Sequence, residues 1–355
     1  MLERLRTSRR GLLAGLGGAA VGFALSGCSG GGERDTINFY NWDTYIGETT
    51  IADFEAATGT DVRSSFYANG DELFAKLKAG NPGYDVIVPA DELVTRMVAA
   101  DMLAPLDLAA IPNLRNIDPR FLDQDYDRGN RHSVPYTWLV QGIGYRKSKV
   151  DGVPDSWRWL FDSDRYAGRI ALHSEAGDLI RLGARYLGAS MNGVDQALCD
   201  RVRDMLVRQK PRIKAFHDDN GQDLLLAGDV DLVLEYNGDI AQAMTEDPDI
   251  GFVVPREGSM LNADTLAIPK GAPNPELAHR FIDFLLDAKT GKGIAETILY
   301  PTPNVAAKAL MPASYRDSAV IFPPADVLAK CEWGRFEGPE KVRMFEEAIT
   351  RMRAA

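Results

Sequence analysis

Residues 84–89 read Tyr-Asp-Val-Ile-Val-Pro. The stretch Asp85-Val86-Ile87-Val88 predicts a short strand buried on both faces, and Pro89 ends it because proline cannot donate to a sheet ladder. Its flanks decide the fold. Upstream, Thr36–Trp42 predicts a strand carrying Ile37, Phe39 and Tyr40, and Asp61–Phe66 predicts another. Between them Thr49–Thr58 predicts a helix, with Ile51, Phe54 and Ala57 on one stripe and Gly59 at its end. Asp71–Ala79 carries Leu73, Phe74 and Leu77 at helical spacing and stops at Gly80; Glu92–Ala100 is helical again. A βαβαβα run implies the α/β class, with a mostly parallel sheet covered by helices on both faces.

The theme repeats further on. Arg169–Leu172 predicts a strand, Asp178–Leu187 and Asp195–Arg208 predict helices, and Leu232–Leu234 a buried strand. Asn274-Pro275-Glu276 predicts a helix start, with Asn as cap and Pro in the first turn. With 355 residues, 45% of them hydrophobic, the chain has the length and apolar mass for about two domains. Its 51 acids against 40 Lys and Arg give a net charge of −11. That excludes a nucleic-acid backbone or an anionic membrane surface as partner, since both require concentrated positive charge. Three cysteines exclude a disulfide-stapled scaffold.

The first 27 residues are an address. Arg4, Arg6, Arg9 and Arg10 precede an uncharged run from Gly11 to Leu25 that is too glycine-rich for a bilayer span. Ser8-Arg9-Arg10-Gly11-Leu12-Leu13 resembles a twin-arginine export motif. Leu25-Ser26-Gly27-Cys28 resembles a lipobox, which makes Cys28 the lipidated first residue of a mature protein. Residues 28–35 then form a flexible, lipid-anchored tether.

Six stretches, in order, carry a resemblance: Phe39-Tyr40-Asn41-Trp42, Tyr84–Pro89, Ile117-Asp118-Pro119, Ser133-Val134-Pro135-Tyr136, Asp264–Pro269 and Ala295–Asn304. Together they resemble the polyamine-binding family, the spermidine/putrescine substrate-binding proteins of bacterial ABC importers. The resemblance implies a two-lobed, type II periplasmic-binding fold with a ligand cleft between lobes and hinge crossovers. Lobe 1 is then expected at 36–142 and 265–309, and lobe 2 at 143–264 and 310–355. It also implies a monomer, held to the membrane only by its lipid, which passes its ligand in the periplasm to permease subunits served by a separate ATPase. No cofactor is expected.

A polyamine requires carboxylates at the spacing of its nitrogens, aromatic faces over its methylenes, and polar acceptors for the remaining N–H groups. Each desolvated cation–aromatic contact is worth ~1–2 kcal/mol, against about 8 kcal/mol for micromolar affinity. Trp42 and Tyr45 follow the first strand, where parallel sheets place ligand groups. The resemblance puts both in the lining, with Asp43 and Thr44 as polar contacts. Glu175 and Asp178, at a helix start, match an acidic pair that holds one amine end; simple N-capping is the competing reading. Tyr236 and Tyr300 match lining aromatics, and Asp264 matches the central acid. Three positions depart from the pattern: Glu92 replaces an aromatic, Asn262 a tryptophan and Gly334 a glutamine. Two lost aromatic contacts would lower affinity for a plain diamine ~100-fold, while Glu92 adds an acid.

Other readings compete. One is a receptor for another small cationic amine that feeds a signalling partner. Another is a thiaminase-like enzyme on the same fold, which needs an activated cysteine. Neither Cys199 nor Cys331 has the basic neighbourhood that would require; they are expected as buried thiols or as one disulfide. No catalytic group and no metal ligand is therefore expected. The histidines at 132, 173, 217 and 279 are scattered, and His173 reads as a strand-end surface residue.

Overall fold

A computed structural model describes residues 35–218 and 220–355. The expected signal peptide, the lipobox Cys28 and the tether up to residue 34 lie outside the described residues. Ten strands are described: β1 (Thr36–Trp42), β2 (Asp61–Tyr67), β3 (Val86–Ile87), β4 (Ser133–Arg146), β5 (Ile170–His173), β6 (Ile213–His217), β7 (Leu232–Tyr236), β8 (Ile250–Val253), β9 (Met260–Ala267) and β10 (Glu332–Trp333). Their order is β2-β1-β3-β9-β4-β7-β5-β6, with β10 on β9 and β8 on β4.

The two ends of this arrangement are parallel, as the βα pattern requires: β1 pairs with β2 and β3, and β5 with β6 and β7. The middle is not. β4 and β9 run antiparallel to each other, β9 runs antiparallel to β3, and β4 does so to β7 and β8. The expected mostly parallel sheet is therefore mixed. β4 is buried at every position before Arg146, so it shows no alternation of polar and apolar residues.

β4 joins two halves. Its Ser133–Val140 segment pairs with β9, while Gln141–Tyr145 pairs with β7. Each half has its own core. One packs Ile37, Phe39, Phe54, Phe281 and Ile282; the other packs Trp157, Phe161, Leu179, Leu182 and Val202. Each such side chain contributes about 1.5–3 kcal/mol on burial. Other chain passages are stitched to the changeover. Asn237 accepts from the Val140 amide at 3.1 Å and donates to the Val320 and Ile321 carbonyls, while Ser259 Oγ donates to the Gln141 carbonyl at 2.6 Å. The expected lobe border at 142/143 falls just past the changeover. The one at 264/265 cuts through β9, whose Leu261–Ala267 all pair with Ser133–Val140.

Helices Thr50–Thr58, Gly70–Lys78, Asp91–Ala99, Ala176–Tyr186, Gln196–Gln209 and Pro275–Leu285 stand where the hydrophobic stripes place them. Asn274 precedes the last of these without capping it through its side chain. Its Nδ2 donates to the Thr36 carbonyl and its amide to Asp85 Oδ1, which ties the helix start to β1.

Candidate functional site

β9 sets Asp264 opposite Thr137 of β4. Tyr45, just past β1, donates its hydroxyl to Asp264 Oδ2 at 2.8 Å, and Thr137 Oγ1 lies 2.5 Å from the same hydroxyl. Asp264 is only 7% exposed. Burial pushes its carboxyl up to about 6, against the opposing pull of the Tyr45 and Thr137 hydroxyls. Trp42 is half-buried against Tyr67, and its Nε1 donates to the Val88 carbonyl, which fixes the ring. Asp43 and Thr44 are exposed. Tyr300 is buried edge-on to Tyr45, with ring centres 5.1 Å apart, and donates its hydroxyl to Asp239.

Asp264 has an acidic neighbour that sequence reasoning missed. Ala90 bridges to Asp264 backbone to backbone, and the next residue, Asp91, is 1% exposed. Asp91 Oδ1 accepts from the Glu92 amide at 2.8 Å and from Asn262 Nδ2 at 3.4 Å. Asp91 Oδ2, Asn262 Oδ1 and the Tyr126 hydroxyl are buried without a hydrogen-bond partner. Burial pushes Asp91 up to about 8, with Glu92 and Asp264 adding to the shift. The available signal was an acid directly after a strand that ends at Pro89. In the first turn of a helix, however, an acid reads as ordinary complement to the backbone dipole.

Glu92 is occupied. Both its oxygens accept from Arg181, at 2.6 and 2.9 Å, and Arg181 also donates to the Arg335 carbonyl. Burial opposes the Arg181 charge, but Glu92 outweighs it and raises the guanidinium above its usual range. The pair joins helix Asp91–Ala99 to helix Ala176–Tyr186, one from each half. Gly334 lies beside Asn262, where an added Cβ would sit 3.5 Å from Asn262 Nδ2.

A second acidic group stands at the start of helix Ala176–Tyr186. Glu175 occupies the cap position but makes no capping hydrogen bond with its side chain, so its carboxyl is not spent on the helix. It is open to solvent yet crowded by protein, and this desolvation, with Asp178 close behind, pushes it up to about 7. Asp178 Oδ2 accepts from Gln141 Nε2 and from the Tyr236 hydroxyl at 3.4 Å, and lies 3.2 Å from His173 Nδ1.

His173 is not the surface residue expected. It ends β5 fully buried, and its Nε2 lies 3.1 Å from Glu235 Oε1. Burial works against its charge, but hydrogen bonds to Asp178 and Glu235 prevail and raise it to about 10. Burial likewise opposes ionisation of Glu235, and His173 holds it below the usual carboxylate range.

The two acidic groups lie along one strand. Thr137 and Gln141 are four residues apart and share a face of β4, a span of roughly 13 Å. Tyr236 bridges the interval: its ring packs against the core that holds Tyr45 and Tyr300 while its hydroxyl reaches Asp178. The arrangement can hold a positive charge at each end of a short apolar chain. The two cysteines among the described residues offer no nucleophile. Cys199 and Cys331 are free thiols, and burial pushes both up, Cys199 to about 11, which is the reverse of activation.

The sequence model for "Bacterial extracellular solute-binding protein" matches residues 49–322. The chain belongs to that family. Among its relatives, a putrescine/cadaverine-binding protein of Pseudomonas aeruginosa is 32% identical over 324 residues, 88% of this chain and 92% of the relative. A spermidine/putrescine-binding periplasmic protein of Salmonella typhimurium is 32% identical over 347 residues, 97% and 98% of the two chains. The solved spermidine/putrescine ABC transporter substrate-binding protein of Streptococcus pneumoniae superposes with a TM-score of 0.80 at 29% identity, covering 90% of this chain and 99% of that one. The architecture is thus the two-lobed periplasmic-binding fold, and this extracellular solute-binding protein has binding proteins, not enzymes, as relatives.

Proposed function

We propose that this protein captures an aliphatic polyamine of the putrescine or spermidine kind and delivers it to the permease of an ABC importer. The observation that carries this reading is the pair Asp91 and Asp264. Burying an ionisable carboxyl is costly unless a positive charge meets it. The groups that act most strongly on Asp91 are Glu92, Asn262 and Asp264, and those on Asp264 are Tyr45 and Thr137; none is basic. An ammonium would supply the missing charge and donors for Asp91 Oδ2 and Asn262 Oδ1. Glu175 and Asp178, the latter bonded to Gln141 four residues along β4 from Thr137, would take a second ammonium, with Trp42, Tyr45, Tyr236 and Tyr300 around the methylenes.

In this reading Glu92 acts through Arg181, closing one half on the other rather than touching ligand. The lobes meet at Val140–Gln141 of β4, with β9 belonging to the first lobe. The protein works as a monomer tethered through Cys28 on the outer side of a bacterial membrane. The relatives' names support the polyamine class. Calorimetry with putrescine, cadaverine, spermidine, spermine and agmatine, against phosphate and maltose, tests it: heat with at least one amine and none with the controls is expected. Heat confined to phosphate or maltose would reject the reading.

A further inference from the structure

Behind Asp178, three buried side chains converge that the amine site does not use for contact; the ring of one, His173, lies 4.9 Å from that of Tyr236. His173 and His217 end the adjacent parallel strands β5 and β6 and are direct partners in register. Glu235 lies in β7, the neighbour of β5 on its other side. The topology therefore gathers at one sheet edge residues that are 62 positions apart or less but show no metal spacing in sequence. One ligand atom from each lies within 4.8 Å of the others.

The atoms around this trio orient it. His217 Nε2 donates to the Leu234 carbonyl at 3.2 Å, which leaves the lone pair on Nδ1. That Nδ1 is buried, has no hydrogen-bond partner and faces Glu235 Oε2 at 3.8 Å. His173 shows the reciprocal arrangement: its Nδ1 is held by the Asp178 carboxylate and its Nε2 faces Glu235 Oε1 at 3.1 Å. Glu235 is fixed in turn by the amides of Gly221 and Tyr236, each at 2.9 Å. A carboxylate or carbonyl on the far nitrogen of each imidazole is the outer shell that metal-ligating histidines use. Ligand atoms about 2.1 Å from a tetrahedral zinc are about 3.4 Å apart; here the carboxylate turns one oxygen to each imidazole, Oε1 3.1 Å from His173 Nε2 and Oε2 3.8 Å from His217 Nδ1. Space is kept by Gly221: a Cβ there would sit 2.5 Å from Glu235 Oε2 and 2.6 Å from His217 Cε1.

We propose that His173 Nε2, His217 Nδ1 and the Glu235 carboxylate form a site for one divalent transition-metal ion, which would displace to solvent the proton that His173 Nε2 holds against Glu235. Two imidazoles and one carboxylate suit zinc and leave a fourth position for water. The ion would tie together the ends of β5, β6 and β7 and fix Asp178 through His173. This inference does not rest on the polyamine reading.

The test uses tag-free full chain dialysed against zinc chloride, or cobalt chloride as a spectroscopic stand-in, with metal content measured afterwards. About one ion per chain, and for cobalt the intense visible absorption of a four-coordinate centre, are expected. His217→Ala should weaken retention at least ~100-fold while putrescine heat persists, which separates this site from the amine cleft. Wild-type protein that retains no metal, or no more than His217→Ala, overturns the proposal. Should His217→Ala fail to fold, wild-type cobalt protein decides: weak six-coordinate absorption, or none, overturns it.

Discussion

Asp264 and Asp91 lie buried side by side with no basic side chain foremost among the groups acting on either, whereas Asp178 and Glu235 close on opposite nitrogens of a single imidazole. The two regions sit on the two halves that β4 joins. The chain supplies one cation of its own, His173, to the second region, fewer than its acids, and none to the first. Residue type alone does not show this difference, since both regions offer two acids near aromatic rings. What differs is whether a cation of the chain is within hydrogen-bond reach.

The comparison breaks first at His173. Replacing it with Phe removes the only imidazole between two buried carboxylates and should cost about 3–5 kcal/mol of stability, read from denaturant midpoints. A loss below about 1 kcal/mol would mean that the two acids do not depend on it. Asp264→Asn should instead leave the fold intact and weaken amine binding at least about tenfold, roughly 1.4 kcal/mol, because a charge-assisted contact is lost. An unchanged affinity removes Asp264 from the site.

The pH response sharpens the contrast. The folded-state values of Asp91 and Asp264, about 8 and about 6, lie above the ordinary 3.8. The folded ligand-free protein therefore holds protons that the unfolded chain releases. The stability this brings is fully present below pH ~4 and is lost as pH rises through those two values. Amine affinity should move the other way, growing from pH 5 to 8 while the amines stay protonated. Thermal melts of ligand-free protein and calorimetry over that range check both slopes; parallel slopes would contradict the assignment. The smallest effect is expected at Asp91→Asn, which should stabilise the ligand-free protein by about 1 kcal/mol at pH 8, since it relieves a buried charge.

Much of this fold was legible in the sequence because β1, β2 and the amphipathic helices announce themselves by period and stop signals. β4 and β9 did not: they are buried almost throughout, so no alternation shows, and polar residues such as Ser133, Gln141, Asn262 and Asp264 break the apolar run that reveals β3 and β7. Trp42, Tyr45, Asp264, Glu175 and Asp178 could be named as candidates from strand ends, helix starts and resemblance. Asp91 was hidden by its place in a helix's first turn, and the neutralising role of His173 depends on Glu235, whose approach only strand order reveals. Glu92 was legible as an anomaly, but its partner Arg181 lies on a helix of the other half.

The most direct measurement is calorimetry of putrescine binding at pH 7 in buffers of different ionisation enthalpy. With Asp91 near 8 and Asp264 near 6 before binding, capture of an ammonium should release about one proton, and Asp91→Asn should abolish that release. Binding heat independent of buffer in the wild type, or proton uptake, would contradict the claim that these carboxyls await a cation.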